Sequence, residues 1–164
     1  MGVVVDTNVA RVASGHSPQA DAACASACVQ RLYEIMEQGG LLVDSLGLIL
    51  NEYIKGLGHA GTPGAGEKFV KWAYSQQWQS DKVTRVAITP TADGGWRRYE
   101  EFPDQHALQG FDKSDQKFVA VALASGTNPS ILNAVDSDWW NHSEALRAAS
   151  VSVEFLCPQH APKP

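Results

Sequence analysis

Short, mainly apolar runs that end in a carboxylate constrain this 164-residue chain more than any other feature. Val3-Val4-Val5 is followed directly by Asp6, Leu41 to Val43 by Asp44, and Ile131 to Val135 by Asp136. Runs this short and apolar read as strands buried on both faces. Helix-forming stretches lie between them. Ser17 to Gln38 is Ala-rich and closes at Gly39-Gly40, the residue type that ends helices. Beyond Ser45, a potential cap, apolar residues at 46, 49, 50, 53, 54 and 57 make one helical stripe. Glu67 to Gln77, Lys113 to Ser125 and Asp138 to Ala149 read as further helices. Val83 to Ile88 and Val151 to Leu156 read as strands. Thr89 to Gly110 is polar and broken by Pro90, Gly94-Gly95 and Pro103; it is either a long functional loop or a loop with a short helix. The alternation predicts an α/β fold, a three-layer α/β/α sandwich with a central parallel sheet. It reads as a single domain over 1–157 with a frayed tail over 158–164.

In such sheets ligands bind at the carboxyl ends of the strands, where Asp6 and Asp136 stand, with Asp138 two residues on. Two helical acids can join them. Glu52 lies about 60° beyond Ile49 on a helical wheel, at the border of the apolar stripe. Asp115 shares a face with Phe118, Val119 and Ala122, and a carboxylate on an apolar face breaks the local pattern in the way functional residues do. Each acid alone has an ordinary use: Asp6 and Asp115 as caps, Glu52 as a surface partner of Lys55, Asp136 and Asp138 in a turn. As a set they point to one site. Converging carboxylates repel, and hard divalent ions, Mg2+ or Mn2+, remove the repulsion. Two such ions roughly 3.5 to 4 Å apart suit phosphodiester cleavage. The net charge of −5 does not exclude a nucleic-acid substrate. Of the 18 acids, setting these five aside leaves as many as the 13 Lys and Arg, so the rest of the surface is balanced.

Other features bound the reading. No run approaches the roughly 18–20 apolar residues of a membrane helix, and no basic stretch precedes the first strand, so neither a span nor a signal peptide is expected. Three Cys make no disulfide framework, and the expected compartment is a reducing cytoplasm. Cys24 and Cys28, one turn apart, read as core packing. The five His show no zinc-hydrolase spacing, and Ser137 lacks a nucleophile elbow. Gly56 to Gly61 spells G-x-G-x-x-G but follows a helix, and 61–68 is similar to a P-loop with Phe69 in place of the Mg2+-holding hydroxyl; both read as loop. Trp96-Arg97-Arg98-Tyr99 combines rings and guanidinium groups that can stack bases and bind phosphate, or is an exposed loop with packed aromatics. Lys113 and Lys117 flank Asp115 and can contact phosphates or face solvent. Of Trp139-Trp140, one is expected in the core and the other near the site mouth.

Taken together, four segments resemble the PIN-domain family of metal-dependent ribonucleases, which includes the toxin halves of many bacterial toxin–antitoxin pairs. They are VVVDTNV with Asp6, LGLILNEYIKGL with Glu52, DQKFVAVALASG with Asp115, and ILNAVDSDWW with Asp136 and Asp138, in order over about residues 3 to 140. The resemblance implies an endoribonuclease whose metal ligands are Asp6, Glu52, Asp115, Asp136 and Asp138, with Mg2+ or Mn2+ as cofactor. It also implies an RNA substrate, a protein antitoxin and a homodimer as partners. Ala134 departs from the hydroxyl residue frequent at that position in the family. Asp112 is either an additional acid behind the site or an N-cap, and Asn8 either a donor to Asp6 or a turn residue. Two further readings stand beside the nuclease. One is a phosphatase or phosphoryl-transfer domain, against which Asn8 argues, since that chemistry wants a second Asp there. The other is a PIN-like scaffold that binds RNA or protein without cutting.

Overall fold

The computed structural model describes residues 2–57 and 64–164. Five parallel strands form one sheet in the order β3-β2-β1-β4-β5: β1 (Val3–Val5), β2 (Leu41–Asp44), β3 (Val83–Val86), β4 (Ser130–Asn133) and β5 (Ser152–Phe155). The helices flanking it are α1 (Thr7–Ala13), α2 (Ala22–Gln38), α3 (Leu48–Leu57), α4 (Ala65–Gln76), α5 (Gln116–Ala124), α6 (Ser137–Asn141) and α7 (Ser143–Ala148). The expected α/β sandwich with an all-parallel sheet is therefore the architecture. Central β1 and β2 are buried at every residue, as a strand covered by helices on both faces must be. At the edge, β3 buries Val83 and Val86 and exposes Thr84 and Arg85. Helix α5 buries every side chain from Gln116 to Ala122 and lies against β1, β2 and β4, while α1 to α4 pack on one another.

The element boundaries differ from the sequence reading where local signals were short. Asp6 does cap, its Oδ1 accepting the Asn8 amide at 2.9 Å, but the chain continues as α1, which buries Val9, Ala10 and Val12. That helix is crossed closely by α4. A Cβ on Gly66 would stand 2.0 Å from the Ala10 carbonyl oxygen, so only glycine fits. Helix α2 starts at Ala22 rather than Ser17, because Asp21 accepts the Cys24 amide at 2.7 Å. The cap of α3 is Asp44, not Ser45; its two oxygens accept Leu48 N (2.9 Å) and Ile49 N (2.8 Å), and Leu46 is exposed outside the helix. Lys113–Asp115 is a tighter 3-10 turn before α5. The stretch read as one helix over 138–149 is two, interrupted at His142.

Cys24 and Cys28 pack in the core as expected, but the expectation of no disulfide fails. Cys24 and Cys157 form a disulfide across 133 residues of sequence, and Cys28 is buried with a free thiol that burial pushes up to about 12. After Cys157, Pro158–His160 makes a 3-10 turn held on Asp21 by His160 and Gln159, so the tail keeps contacts as far as His160. Among the described residues no helix is long and apolar enough to cross a membrane.

Candidate metal centre

From β1 the chain builds outward through β2 and β3 on one side, and later through β4 and β5 on the other. The crevice outside the carboxyl ends of β1 and β4 is thus the switch point of the sheet, the place where open α/β folds bind ligands. Asp6 leaves β1 there, Asp136 caps α6 just beyond β4, and the turn before α5 delivers Asp115. One carboxylate oxygen from each of Asp6, Asp115 and Asp136 lies within 4.8 Å of the other two.

A network of amides fixes the trio. Asn8 reaches across from α1, its Oδ1 accepting Ala134 N (2.9 Å) and Val135 N (3.1 Å) while its Nδ2 donates to Asn133 Oδ1 (2.9 Å). Asn133, fully buried, in turn accepts Asp136 N at 3.3 Å and donates to the Asp136 carbonyl at 3.1 Å. The turn carrying Asp136 is thereby tied to the turn carrying Asp6. The second oxygen of Asp6 accepts the indole Nε1 of Trp139 at 2.7 Å.

Electrostatics follow from this crowding. Burial, opposed by hydrogen bonds from Asn8 and Trp139 and assisted by Asp136, raises the Asp6 carboxyl to about 6. Burial again, then the charges of Asp6, Asp136, Asp112 and Glu52, raises Asp115 to about 9. Three carboxyl groups in so little water do not all ionise at neutral pH unless a cation joins them. All-oxygen donors of this kind fit a hard divalent ion.

Glu52 and Asp138 are not in that trio. Glu52 is bound by Lys117, whose Nζ is 2.6 Å from Glu52 Oε1 and also donates to the Ser114 carbonyl, and the Thr7 hydroxyl donates to Oε2. Lys117 is neither solvated nor free for phosphate. It is buried, at 7% exposure, against the site. Asp138 Oδ2 accepts Asp112 N at 2.8 Å and its Oδ1 lies 3.1 Å from His142 Nδ1. Asp112 is a cap, accepting both the amide and the hydroxyl of Ser114. One tryptophan is in the core as expected, and it, rather than its neighbour, reaches the site. Trp139, fully buried, is the one that touches the acids, and Trp140 stacks on Phe155 with centroids 4.8 Å apart.

The 89–110 segment supports the site. It forms a hairpin-like loop with a bridge between Pro90 and Tyr99, and Thr91 N donates to Arg98 O at 2.9 Å. Buried Gln116 docks it, accepting Arg98 N (2.7 Å) and donating to Trp96 O (3.0 Å). Arg97 latches the loop from within, donating to the carbonyls of Phe102 and Glu100. A line of rings, Trp96, Phe102, Phe111 and Trp139, runs beneath, with successive centroids 6.0, 5.9 and 5.0 Å apart. Asn133, Gln116, Thr7 and the donor role of Trp139 escaped the sequence reading. The G-x-G-x-x-G stretch lies mostly outside the described residues, as do 61–63 of the P-loop-like stretch. Its Glu67 accepts the Gly64 amide at the start of α4.

Compared with known protein families, characterised proteins and solved structures, the chain matches none of them.

Proposed function

We propose that this chain is a PIN-like, metal-dependent endoribonuclease. The observation that carries the reading is the meeting of Asp6, Asp115 and Asp136 at the switch point of the sheet. These three residues would hold Mg2+ or Mn2+, and Asp138, at the rim, would assist a second ion. When bound, such an ion supplies a nucleophilic water at neutral pH and offsets charge on the departing oxygen. The chain's own residues do the rest. Trp139 and Asn8 hold Asp6 in one orientation, and Asn133 holds the Asp136 turn. Lys117 pairs with Glu52 and fixes its position. Water's oxygen joins phosphorus, the bond to the 3′-oxygen breaks, and that oxygen leaves with a proton.

The test is Asp6→Asn. It retains an oxygen for the Asn8 amide and should abolish Mn2+-dependent cleavage of single-stranded RNA while circular dichroism stays native. Undiminished cleavage overturns the reading. The Lys117–Glu52 pair favours a second reading, a scaffold that binds RNA without cutting, because a lysine already neutralises one of the expected ligands. Calorimetry with Mn2+ separates the two, since the scaffold needs no tight metal site. If the chain is the toxin of a toxin–antitoxin pair, a small antitoxin is its partner and the cytoplasm its place of action. There the Cys24–Cys157 pair would be held as thiols.

A further inference from the structure

The turn that leads into Asp115 also lines a second feature that the metal reading does not use. An open cleft of about 520 Å3 is lined by Leu48, Pro90, Thr91, Gly94, Arg98, Tyr99, Lys113 and Ser114. Its volume is within the roughly 300–1,000 Å3 of small-ligand sites. One wall is the hairpin and the other is the turn that leads straight into Asp115. Lys113 and Ser114 on its wall directly precede Asp115 in the chain.

Its two cations are unspent. The ion pairs of Lys and Arg among the described residues engage Arg31, Arg97 and Lys117, and Arg98 and Lys113 are in none of them. Both are exposed, and they face one space from two different segments. The Arg98 backbone is held by Gln116, so its guanidinium is presented from a fixed point. Tyr99 beside it is only partly exposed and gives the cleft an aromatic wall. Burial, and then the charge of Asp44, keeps its phenol above the ordinary range, with Arg98 opposing and Glu52 adding. A ring flanked by two cations, next to acids that would hold divalent ions, matches the needs of a nucleotide: a face for the base and positive charge for the phosphate.

We propose that this cleft is a single-nucleotide subsite for single-stranded RNA, in which Arg98 and Lys113 hold the phosphate of a nucleotide flanking the scissile bond and Tyr99 stacks on its base. It rests on the ribonuclease reading and deepens it. The subsite selects unpaired strands, because a paired base cannot turn its face to Tyr99. Arg98 and Lys113 are binding residues and Tyr99 a specificity residue.

The experiment is fluorescence anisotropy of a labelled 12-nucleotide single-stranded RNA with the full chain in Ca2+ buffer, where cleavage is suppressed, together with its duplex. The variants are Arg98→Ala/Lys113→Ala, Tyr99→Ala and Tyr99→Phe. The double variant should weaken single-strand binding tenfold or more and lower the salt dependence of log K by about 0.7, one phosphate contact on a single strand. Tyr99→Ala should cost about 5- to 150-fold, the range of base–aromatic stacking, and Tyr99→Phe should bind as the parent. Unchanged binding by the double variant overturns the subsite, and so does duplex bound as tightly as single strand. Thermal melts of each variant guard against unfolding, which Arg98 and Lys113, both exposed, should not cause, and Tyr99→Phe keeps the partly buried ring. The two readings fail separately. Parent protein that binds RNA in this pattern but never cuts it with Mn2+ removes the nuclease and keeps the subsite. Cutting that is lost in Asp6→Asn but unaffected by the double variant, in rate and in binding, removes only the subsite.

Discussion

Trp139 donates its indole N–H to Asp6 Oδ2 across 2.7 Å, both residues being buried. A core aromatic thus sets the orientation of the acid at the end of β1. Trp139→Phe keeps the ring and deletes the donor. It should weaken Mn2+ binding about 10- to 100-fold, the usual cost of losing a partner behind a metal ligand. It should destabilise the fold by about 1–3 kcal/mol. Calorimetry and urea denaturation check the two effects, and unchanged Mn2+ affinity would show that the bond does not serve the site.

The Lys117–Glu52 pair makes a second expectation. Glu52→Ala leaves a buried ammonium without its anion, at a cost of about 3 kcal/mol, the low end for such a loss because Glu52 is open on one side. Glu52→Leu combined with Lys117→Met should recover most of that stability, since neither charge is then stranded. Denaturation midpoints decide it. A double variant as unstable as Glu52→Ala would mean that the ion pair is not what the fold loses.

Stability of the metal-free protein should fall as pH rises. Asp6 and Asp115 ordinarily titrate near 3.8, but in the folded chain they hold their protons to about 6 and about 9. Over that window the native state binds protons that the unfolded state has lost, so the unfolding free energy declines with pH. Each such proton contributes up to about 1.4 kcal/mol per pH unit. The stabilisation is fully present below pH 3.8 for these groups and is lost as pH passes their folded values. Mn2+ needs the same carboxylates ionised, so its stabilising effect should grow over the same range. Melting temperatures at pH 5, 7 and 9, in EDTA and in Mn2+, test both signs. In EDTA, a melting temperature that climbs from pH 5 to 9 contradicts the assignment.

Reduction of the Cys24–Cys157 bond should also be measurable. Closing so long a loop stabilises by about 2–5 kcal/mol, equivalent to roughly 5–15 °C in a chain of this size. Cys157→Ser should reproduce the drop seen with a reductant, and thiol titration of denatured protein should find one free thiol before reduction and three after. Three thiols before reduction would show that the bond is not formed.

The sheet was legible because apolar β-branched runs and strand ends leave a local signature: β1 with Asp6 and β4 with Asp136 could be read from a dozen residues. Asp115 was legible because it interrupts an apolar face. What escaped depends on partners distant in sequence. Nothing near Cys157 shows that Cys24, 133 residues earlier, lies beside it. Lys117 belongs to a residue type that rarely goes inside, and only the arrival of Glu52 from α3 makes its burial tolerable. Helix α1 was hidden because the polar Asp6-Thr7-Asn8 cluster fits a turn as well as a helix start, and the helix that follows is short. Glu52 was expected among the ligands but lies outside the trio, and its pairing with Lys117 and Thr7 is a property of three separate elements.

The run of rings from Trp96 to Trp139 has one end at the surface hairpin and the other at Asp6. Altering the hairpin to accept a different ligand therefore disturbs the floor on which the acid rests. The hairpin and the acid are mechanically joined: repacking at one end of the row has to be matched at the other.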